Sequence, residues 1–203
     1  ANITAKSLTI TANSQTKTYD GTTVVSSNTA YNVTGLVGNE TISSVVLAYT
    51  DKNAGAGNKT IAVTNATGDA NTSVTNYLIT YVNSTASTIT PKSLTVTAGA
   101  QTKTYDGNTN VASNTAYNVT GLVSNETISS VILAYADKNA GAGNKTITVT
   151  NATGDSNTSV TNYNITYVNS TASTITKANI TGITGVMPSL LTTVPNSVSR
   201  PEA

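Results

Sequence analysis

The chain contains neither cysteine nor histidine among its 203 residues. Without cysteine, no disulfide framework and no thiolate metal site can form. Without histidine, Ser-His-Asp and Cys-His catalysis and the usual zinc ligands are excluded as well. Paired carboxylates could still act as acid and base in principle, but no motif surrounds the acidic residues. We predict a protein that is not an enzyme and that has no cofactor and no metal site.

Charged residues are also scarce: they make up 9% of the chain, with a net charge of +1, against roughly 25% in an ordinary globular domain. Basic and acidic residues balance within each half, so no basic patch is available for nucleic acid. No apolar run approaches the roughly 18 residues of a membrane-spanning helix. We predict no nucleic-acid partner and no membrane insertion. No signal peptide is visible, and we expect a mature product or a fragment.

The strongest positive feature is an internal repeat. Lys-Thr-Tyr-Asp-Gly at residues 17–21 returns at residues 103–107, an offset of 86 positions. Between residues 5–90 and 91–176, 73 positions are identical and 13 differ. A fixed period of this kind predicts two copies of one folding unit. We place the modules at residues 1–90 and 91–176.

Apolar and polar residues alternate in short segments of each module. In module one, Leu8, Ile10 and Ala12 fall on one face of a strand and threonines on the other. No segment has the period of a helix. The pattern predicts an all-β protein of two tandem β-sandwich (Ig-like) modules. The predicted strands are residues 8–12, 31–34, 45–49, 61–63 and 77–82, with an extended segment at 84–90 and polar loops at 51–58 and 65–75.

The joint between the modules has no Gly/Ser-rich spacer, and Pro91 restricts the backbone there. We expect the modules to stack head to tail as a rod about 70–80 Å long, at about 3.3 Å per strand residue. Residues 177–203 break the repeat. They resemble the start of a third module only as far as Gly185. This segment is either a truncated module or disordered end, or an extended tail that docks on a sheet edge.

The acidic residues of module one, Asp20, Glu40, Asp51 and Asp69, lie in four separate polar segments. We predict that these residues stabilise turns or cap backbone N–H groups. The alternative is that Asp20 or Asp51 binds a hard cation. Residues 55–60 lack the spacing of a phosphate loop and predict a hairpin loop instead.

The ten tyrosines are the only aromatic residues. At alternating strand positions they are expected in the core with the hydroxyl at the rim, and exposed ones could stack against sugars. Lys6, Lys17 and Gln15 are candidates for an intramolecular isopeptide or ester crosslink, although their spacing in the sequence matches no crosslinking motif.

Asn-X-Ser/Thr sequons are dense, which makes glycosylation a prediction for a secreted chain. Further sequons begin at Asn2 and Asn179. The candidates within the modules are Asn32, Asn39, Asn58, Asn65, Asn71, Asn83, Asn118, Asn125, Asn144, Asn151, Asn157, Asn164 and Asn169.

Several stretches together carry a family resemblance: residues 17–21, 31–37, 51–60, 76–81 and 88–96. They resemble the YDG/MBG-type tandem repeats of bacterial filamentous-haemagglutinin-like surface adhesins. The resemblance covers residues 5–176. It implies an extracellular or cell-surface location, an all-β fold and a stalk role, and it brings no catalytic residues.

We therefore predict a stiff stalk or spacer that serves cell adhesion or biofilm formation. Its expected partners are neighbouring repeats or like subunits, and host or surface glycans and proteins. The main alternative is a filament subunit that polymerises by strand donation through residues 1–12 or 177–203. A glycan-binding module and a thermal-hysteresis role for the Thr9/Thr11 face are weaker alternatives.

Overall fold

The computed structural model describes residues 2–181 and contains two modules of nearly pure β structure, so the all-β prediction is confirmed. Each module has one three-stranded and one four-stranded sheet. The strands of module one are β1 (Lys6–Ala12), β2 (Thr16–Thr18), β3 (Tyr31–Thr34), β4 (Ile42–Tyr49), β5 (Gly55–Gly68), β6 (Tyr77–Val82) and β7 (Ser84–Thr90). Those of module two are β8 (Lys92–Ala98), β9 (Thr102–Thr104), β10 (Tyr117–Thr120), β11 (Ile128–Tyr135), β12 (Gly141–Gly154), β13 (Tyr163–Val168) and β14 (Ser170–Thr176).

The three-stranded sheet of module one has β1 at its centre. It pairs antiparallel with β3 and parallel with β6, so that Ile10 lies opposite both Val33 and Tyr81. The four-stranded sheet has the order β2-β7-β5-β4. Its parallel pair, β2 with β7, joins the beginning of the module to its end. Module two repeats this arrangement in β8 to β14.

The core of each module lies between its two sheets. Leu8 and Ile10 of β1 are almost fully buried, as are Ile61 and Val63 of β5 and Ile89 of β7. These residues occupy alternate positions, as a half-buried strand requires. The polarity swap from Leu78 to Asn164 falls on the outer face, where Leu78 is 68% exposed, which explains why both residues are tolerated.

The predicted loops at residues 51–58 and 65–75 are partly wrong, because β5 is one 14-residue strand that runs from Gly55 to Gly68. Its pairing shifts register on both sides. Gly57 (φ +64°) and Asn65 (φ +52°) adopt left-handed backbone within the strand. Residues typical of turns therefore form bulges here, and the chain continues pairing beyond them. The remaining loop contains a single 3₁₀ turn at Val74–Asn76.

Residues 177–181 occupy the repeat positions of residues 91–95, but they form no strand, whereas β8 begins at Lys92. The predictions made for residues 182–203 lie outside the described part of the chain. Among residues 2–181, no helix is long and apolar enough to cross a bilayer.

Candidate functional site at the junction of the modules

The two modules meet through two different surfaces, one from each module. We call the surface that module one contributes the YDG face and the surface that module two contributes the Glu-Tyr face. The YDG face comprises Tyr19, Gly21, Asn53 and Ala54, and its counterpart on module two is Tyr105, Gly107, Asn139 and Ala140. The Glu-Tyr face comprises Val123, Glu126, Asn162 and Tyr163, and its counterpart on module one is Val37, Glu40, Asn76 and Tyr77.

Glu126 is the centre of the junction, and only 8% of it is exposed. Its carboxylate accepts hydrogen bonds from the hydroxyls of Tyr19 and Tyr163, one from each module. The Tyr163 hydroxyl in turn accepts a hydrogen bond from the Val123 backbone N–H at 2.9 Å. Hydrogen bonds to an ionised group are stronger than neutral ones, so this largely buried cluster ties the modules together.

Both tyrosines are held in the protonated, donating form. Burial, followed by the hydrogen bond to Glu126, raises the pKa of Tyr19 to about 12. Burial and the same carboxylate also raise the pKa of Tyr163 well above its ordinary value. Neither hydroxyl therefore loses the proton that it donates in the neutral pH range.

Asn162 makes the second connection between the modules. It ends the 3₁₀ turn Val160–Asn162 and is 1% exposed. Its Oδ1 accepts a hydrogen bond from the Ala54 N–H at 2.9 Å, and its Nδ2 donates to Oδ1 of Asn53 at 3.1 Å. The equivalent residue Asn76 is exposed, so burial of this amide is a consequence of the junction.

Gly21 makes the close approach of the modules possible. Its φ is +76°, and a Cβ there would lie 2.7 Å from Cγ1 of Val123. Gly107 has nearly the same backbone (φ +80°), but a Cβ there would meet no atom within 4 Å. Because real Cβ contacts are longer than 3.0 Å, a side chain at residue 21 would force Val123 or the whole of module two to shift.

The three residues of the Tyr-Asp-Gly motif thus have three different roles. Tyr19 donates across the junction to Glu126. Asp20 shapes the turn, because its Oδ1 accepts from the Thr22 N–H at 2.9 Å and from Nζ of Lys17 at 2.7 Å. Gly21 leaves room for the neighbouring module.

A cleft of about 420 Å³ opens beside the buried cluster. Lys52 and Glu126 line it from opposite modules, together with Asn125. Asn125 adopts left-handed backbone (φ +66°), whereas in module one Gly38 does so (φ +56°). Since Ser124 replaces that glycine in module two, the left-handed position has moved to the following Asn, which tolerates it better than serine does.

The other predicted acidic residues have local roles. Asp51 accepts from the Asn53 N–H at 2.8 Å and pairs with Nζ of Lys59 at 2.6 Å. Asp69 accepts from the Asn71 N–H at 3.1 Å and from Oγ1 of Thr72 at 2.7 Å. These contacts are those of turn residues. Among the described residues, no group of three or more acidic side chains is placed to hold a metal ion.

The crosslink candidates have separate positions. The side chain of Gln15 bonds to the backbone of Ser27 at both its oxygen and its nitrogen, at 2.7 and 3.0 Å. Lys17 pairs with Asp20, and its ammonium lies 5.4 Å from the centre of the Tyr49 ring. Lys6 is exposed at the start of β1. The structure therefore does not bring these three groups together as a crosslinking site.

The tyrosines differ in burial, and Tyr31 and Tyr117 are half-buried. Buried ones follow the predicted pattern: the Tyr49 hydroxyl, for example, donates to the carbonyl oxygens of Gln15 and Thr88 at the edge of the core. Exposed ones are Tyr81, Tyr105 and Tyr167, at 37%, 40% and 37%. The sequon asparagines predicted for glycosylation are all exposed, and their modification stays a prediction.

Sequence reasoning missed the role of Glu126, which it treated as a turn residue through its counterpart Glu40. The partners Tyr19 and Glu126 are 107 positions apart in the chain. One feature of the sequence could have indicated this role: Tyr19, Glu40 and Tyr77 all recur unchanged in the second copy.

Comparison with protein-family models matches the YDG domain twice, at residues 4–86 and 90–174. Comparison with curated proteins gives no match. Comparison with solved structures gives none either. The two matched ranges cover most of the chain, and each includes one Tyr-Asp-Gly motif and one glutamate–tyrosine pair. The chain belongs to the YDG-domain family and contains two YDG domains in tandem.

Proposed function

We propose that the chain is a stiff, non-enzymatic stalk segment of a bacterial extracellular surface adhesin, which spaces an adhesive part from the cell in adhesion or biofilm formation. The observation that carries the proposal is the buried carboxylate of Glu126, which accepts hydrogen bonds from both modules. A joint of this kind resists bending, because bending would break the hydrogen bond from Tyr19 and separate the packed rings of Tyr19 and Tyr163.

The connection between the strands supports stiffness independently. Only Pro91 separates the end of β7 at Thr90 from the start of β8 at Lys92. A single residue with a fixed φ leaves little freedom for one module to swing against the other. Repeated modules with such joints add length without new chemistry.

The extracellular location and the adhesion role rest on the resemblance to surface-adhesin repeats. Neighbouring repeats are the proposed partners of the module ends, and surface glycans or proteins are the proposed partners of the whole adhesin. Protease treatment of intact source cells tests the location. Release of peptides from this chain would support it, and full protection of the chain in intact cells would contradict it.

Spin labels test the stiffness directly. Ser44 and Ser130 are exposed and occupy equivalent positions in the two modules. Because the chain has no native cysteine, S44C and S130C label these sites alone. A narrow distribution of interspin distances by double electron–electron resonance is the expected result. A broad distribution would contradict the stalk function.

The second candidate function is a filament subunit that polymerises by strand donation. Ile180 favours it, since this apolar residue is 81% exposed while Leu94, at the same position of the repeat, is 1% exposed. Donation through residues 1–12 would cost more, because β1 already pairs on both sides. Electron microscopy of the chain with and without residues 177–203 tests this function. Fibres that require the tail would support it.

A further inference from the structure

We infer that a second copy of this chain docks end to end on the first, with the Glu-Tyr face of its module one on the free YDG face of module two. The inference rests on the proposed role of the junction. It goes further by naming the contact surfaces and the partner.

Each half of the internal junction is present a second time, on the other module, and we call these two second copies the end faces. All four residues of the YDG face recur in module two, and all four of the Glu-Tyr face recur in module one. None of the 13 differences between the copies falls on these eight pairs. The two end faces therefore have the chemistry that already joins the modules.

Among residues 2–181, the end faces are more exposed than the faces at the junction. Tyr105 is 40% exposed, whereas Tyr19 in the junction is 1% exposed. Val37 is 52% exposed, whereas its counterpart Val123 is half-buried. The tyrosine of the YDG face thus changes from exposed to buried, and the valine of the Glu-Tyr face from exposed to half-buried, where the two faces meet.

The Glu-Tyr face of module one is already arranged for docking. The Tyr77 hydroxyl donates to Glu40 and accepts from the Val37 N–H at 3.1 Å. These contacts match those of Tyr163 with Glu126 and Val123. Because the carboxylate is held in place beforehand, docking costs less conformational entropy.

The opposite face forms a cleft of about 420 Å³ in which Tyr105, Asn139 and Ala140 meet the exit segment at Lys177, Ala178 and Ile180. An arriving Glu40 would accept a hydrogen bond from Tyr105, as Glu126 does from Tyr19. Docking joins two different faces, so it does not close into a ring after one step, and repetition gives linear chains.

Sedimentation velocity over about 10 μM to 1 mM tests the inference, because a contact that is intramolecular within the chain has an effective concentration in the mM range. The wild-type sedimentation coefficient is expected to rise with concentration. Tyr105→Phe and Glu40→Gln each remove one charge-assisted hydrogen bond and should weaken association about tenfold or more. Tyr167→Phe alters an equally exposed tyrosine away from both faces and should associate like wild type.

A wild-type chain that stays monomeric at about 1 mM would overturn the inference. Association of Tyr105→Phe as strong as that of wild type would overturn it as well, and would point to the tail instead. The spin-label distances are measured separately at concentrations where the chain is monomeric. A narrow distribution without association leaves the stalk function standing, and a broad distribution removes the stalk function itself.

Discussion

The ring of Tyr19 meets the ring of Tyr163 edge to face, with centroids 5.5 Å apart and planes at 80°. The two hydroxyls converge on one carboxylate, that of Glu126. Edge-to-face aromatic pairs add about 0.5–1.5 kcal/mol beyond their buried area. The two tyrosines therefore contribute aromatic packing as well as hydrogen bonds to the junction.

Glu126→Gln should loosen the junction. The substitution replaces the carboxylate, which accepts two hydrogen bonds, by an amide with a single uncharged oxygen acceptor. Hydrogen bonds to charged groups contribute about 1.5–3 kcal/mol each to stability. The interspin distance distribution between S44C and S130C should broaden. Glu40→Gln makes the same change in module one, where no neighbouring module is docked, and should leave the distribution unchanged in the monomer. Equal behaviour of the two variants would contradict the role of Glu126.

Gly21→Ala and Gly107→Ala form a matched pair. Both place a Cβ on left-handed backbone, at a cost of about 1–2 kcal/mol, so both should lower the thermal stability of their module. Only Gly21→Ala brings that Cβ to 2.7 Å from Val123, so only it should change the distance between the modules. Calorimetry and the spin labels measure the two effects separately. A shift of the interspin distance in Gly107→Ala would argue against this assignment.

Strong alkali should open the junction. The folded pKa of Tyr19, about 12, lies above the ordinary tyrosine value of about 10. A raised pKa means that the folded form holds its proton more tightly, so this stabilisation is complete below pH 10 and is lost as the pH rises toward 12. Ultraviolet difference spectra should show late tyrosinate formation in wild type, with one late-titrating group fewer in Tyr19→Phe. Titration of every tyrosine near pH 10 would refute the prediction.

The ion pair between Lys59 and Asp51 should stabilise module one at neutral pH but not in acid. The hydrogen bond from Lys59 is the main cause of the lowered pKa of Asp51, so its stabilisation is present above about pH 4 and is lost as the pH falls further. Because the Asp51 side chain is half exposed, Lys59→Met should reduce the free energy of unfolding by no more than about 1 kcal/mol at neutral pH. Urea titrations should show this difference disappearing in acid, and Lys145→Met should reproduce it in module two. A difference that persists in acid would point to packing instead.

Asn39 and Asn125 test the glycosylation prediction against the fold. They are equivalent sequons and both are exposed, but Asn125 lines the junction cleft together with Gly21 and Lys52 of module one. In a glycosylating host, Asn39 should be modified more completely than Asn125. Peptide mapping measures the occupancy of each site. An intact mass equal to the unmodified 20.6 kDa would remove the prediction.

The sequence predicts the strands well where apolar residues fall on one face, as in β1, β3 and β6, and it predicts β7 as an extended segment. It fails in β5, because Gly57 and Asn65 are turn residues by type and only the paired neighbours β4 and β7 make bulges of them. It also fails at the junction. Glu40 and Glu126 have the same local sequence, Asn-Glu-Thr, and only the docked module distinguishes a half-exposed carboxylate from a buried one.

Because every module has both docking faces with the same residues, the joint does not depend on which copy comes first. Removal or duplication of one 86-residue unit would leave each remaining contact chemically unchanged. Nearly identical coding segments are also favourable templates for unequal recombination. The length of such a protein could therefore increase or decrease by whole modules between generations, without any compensating mutation at the junctions.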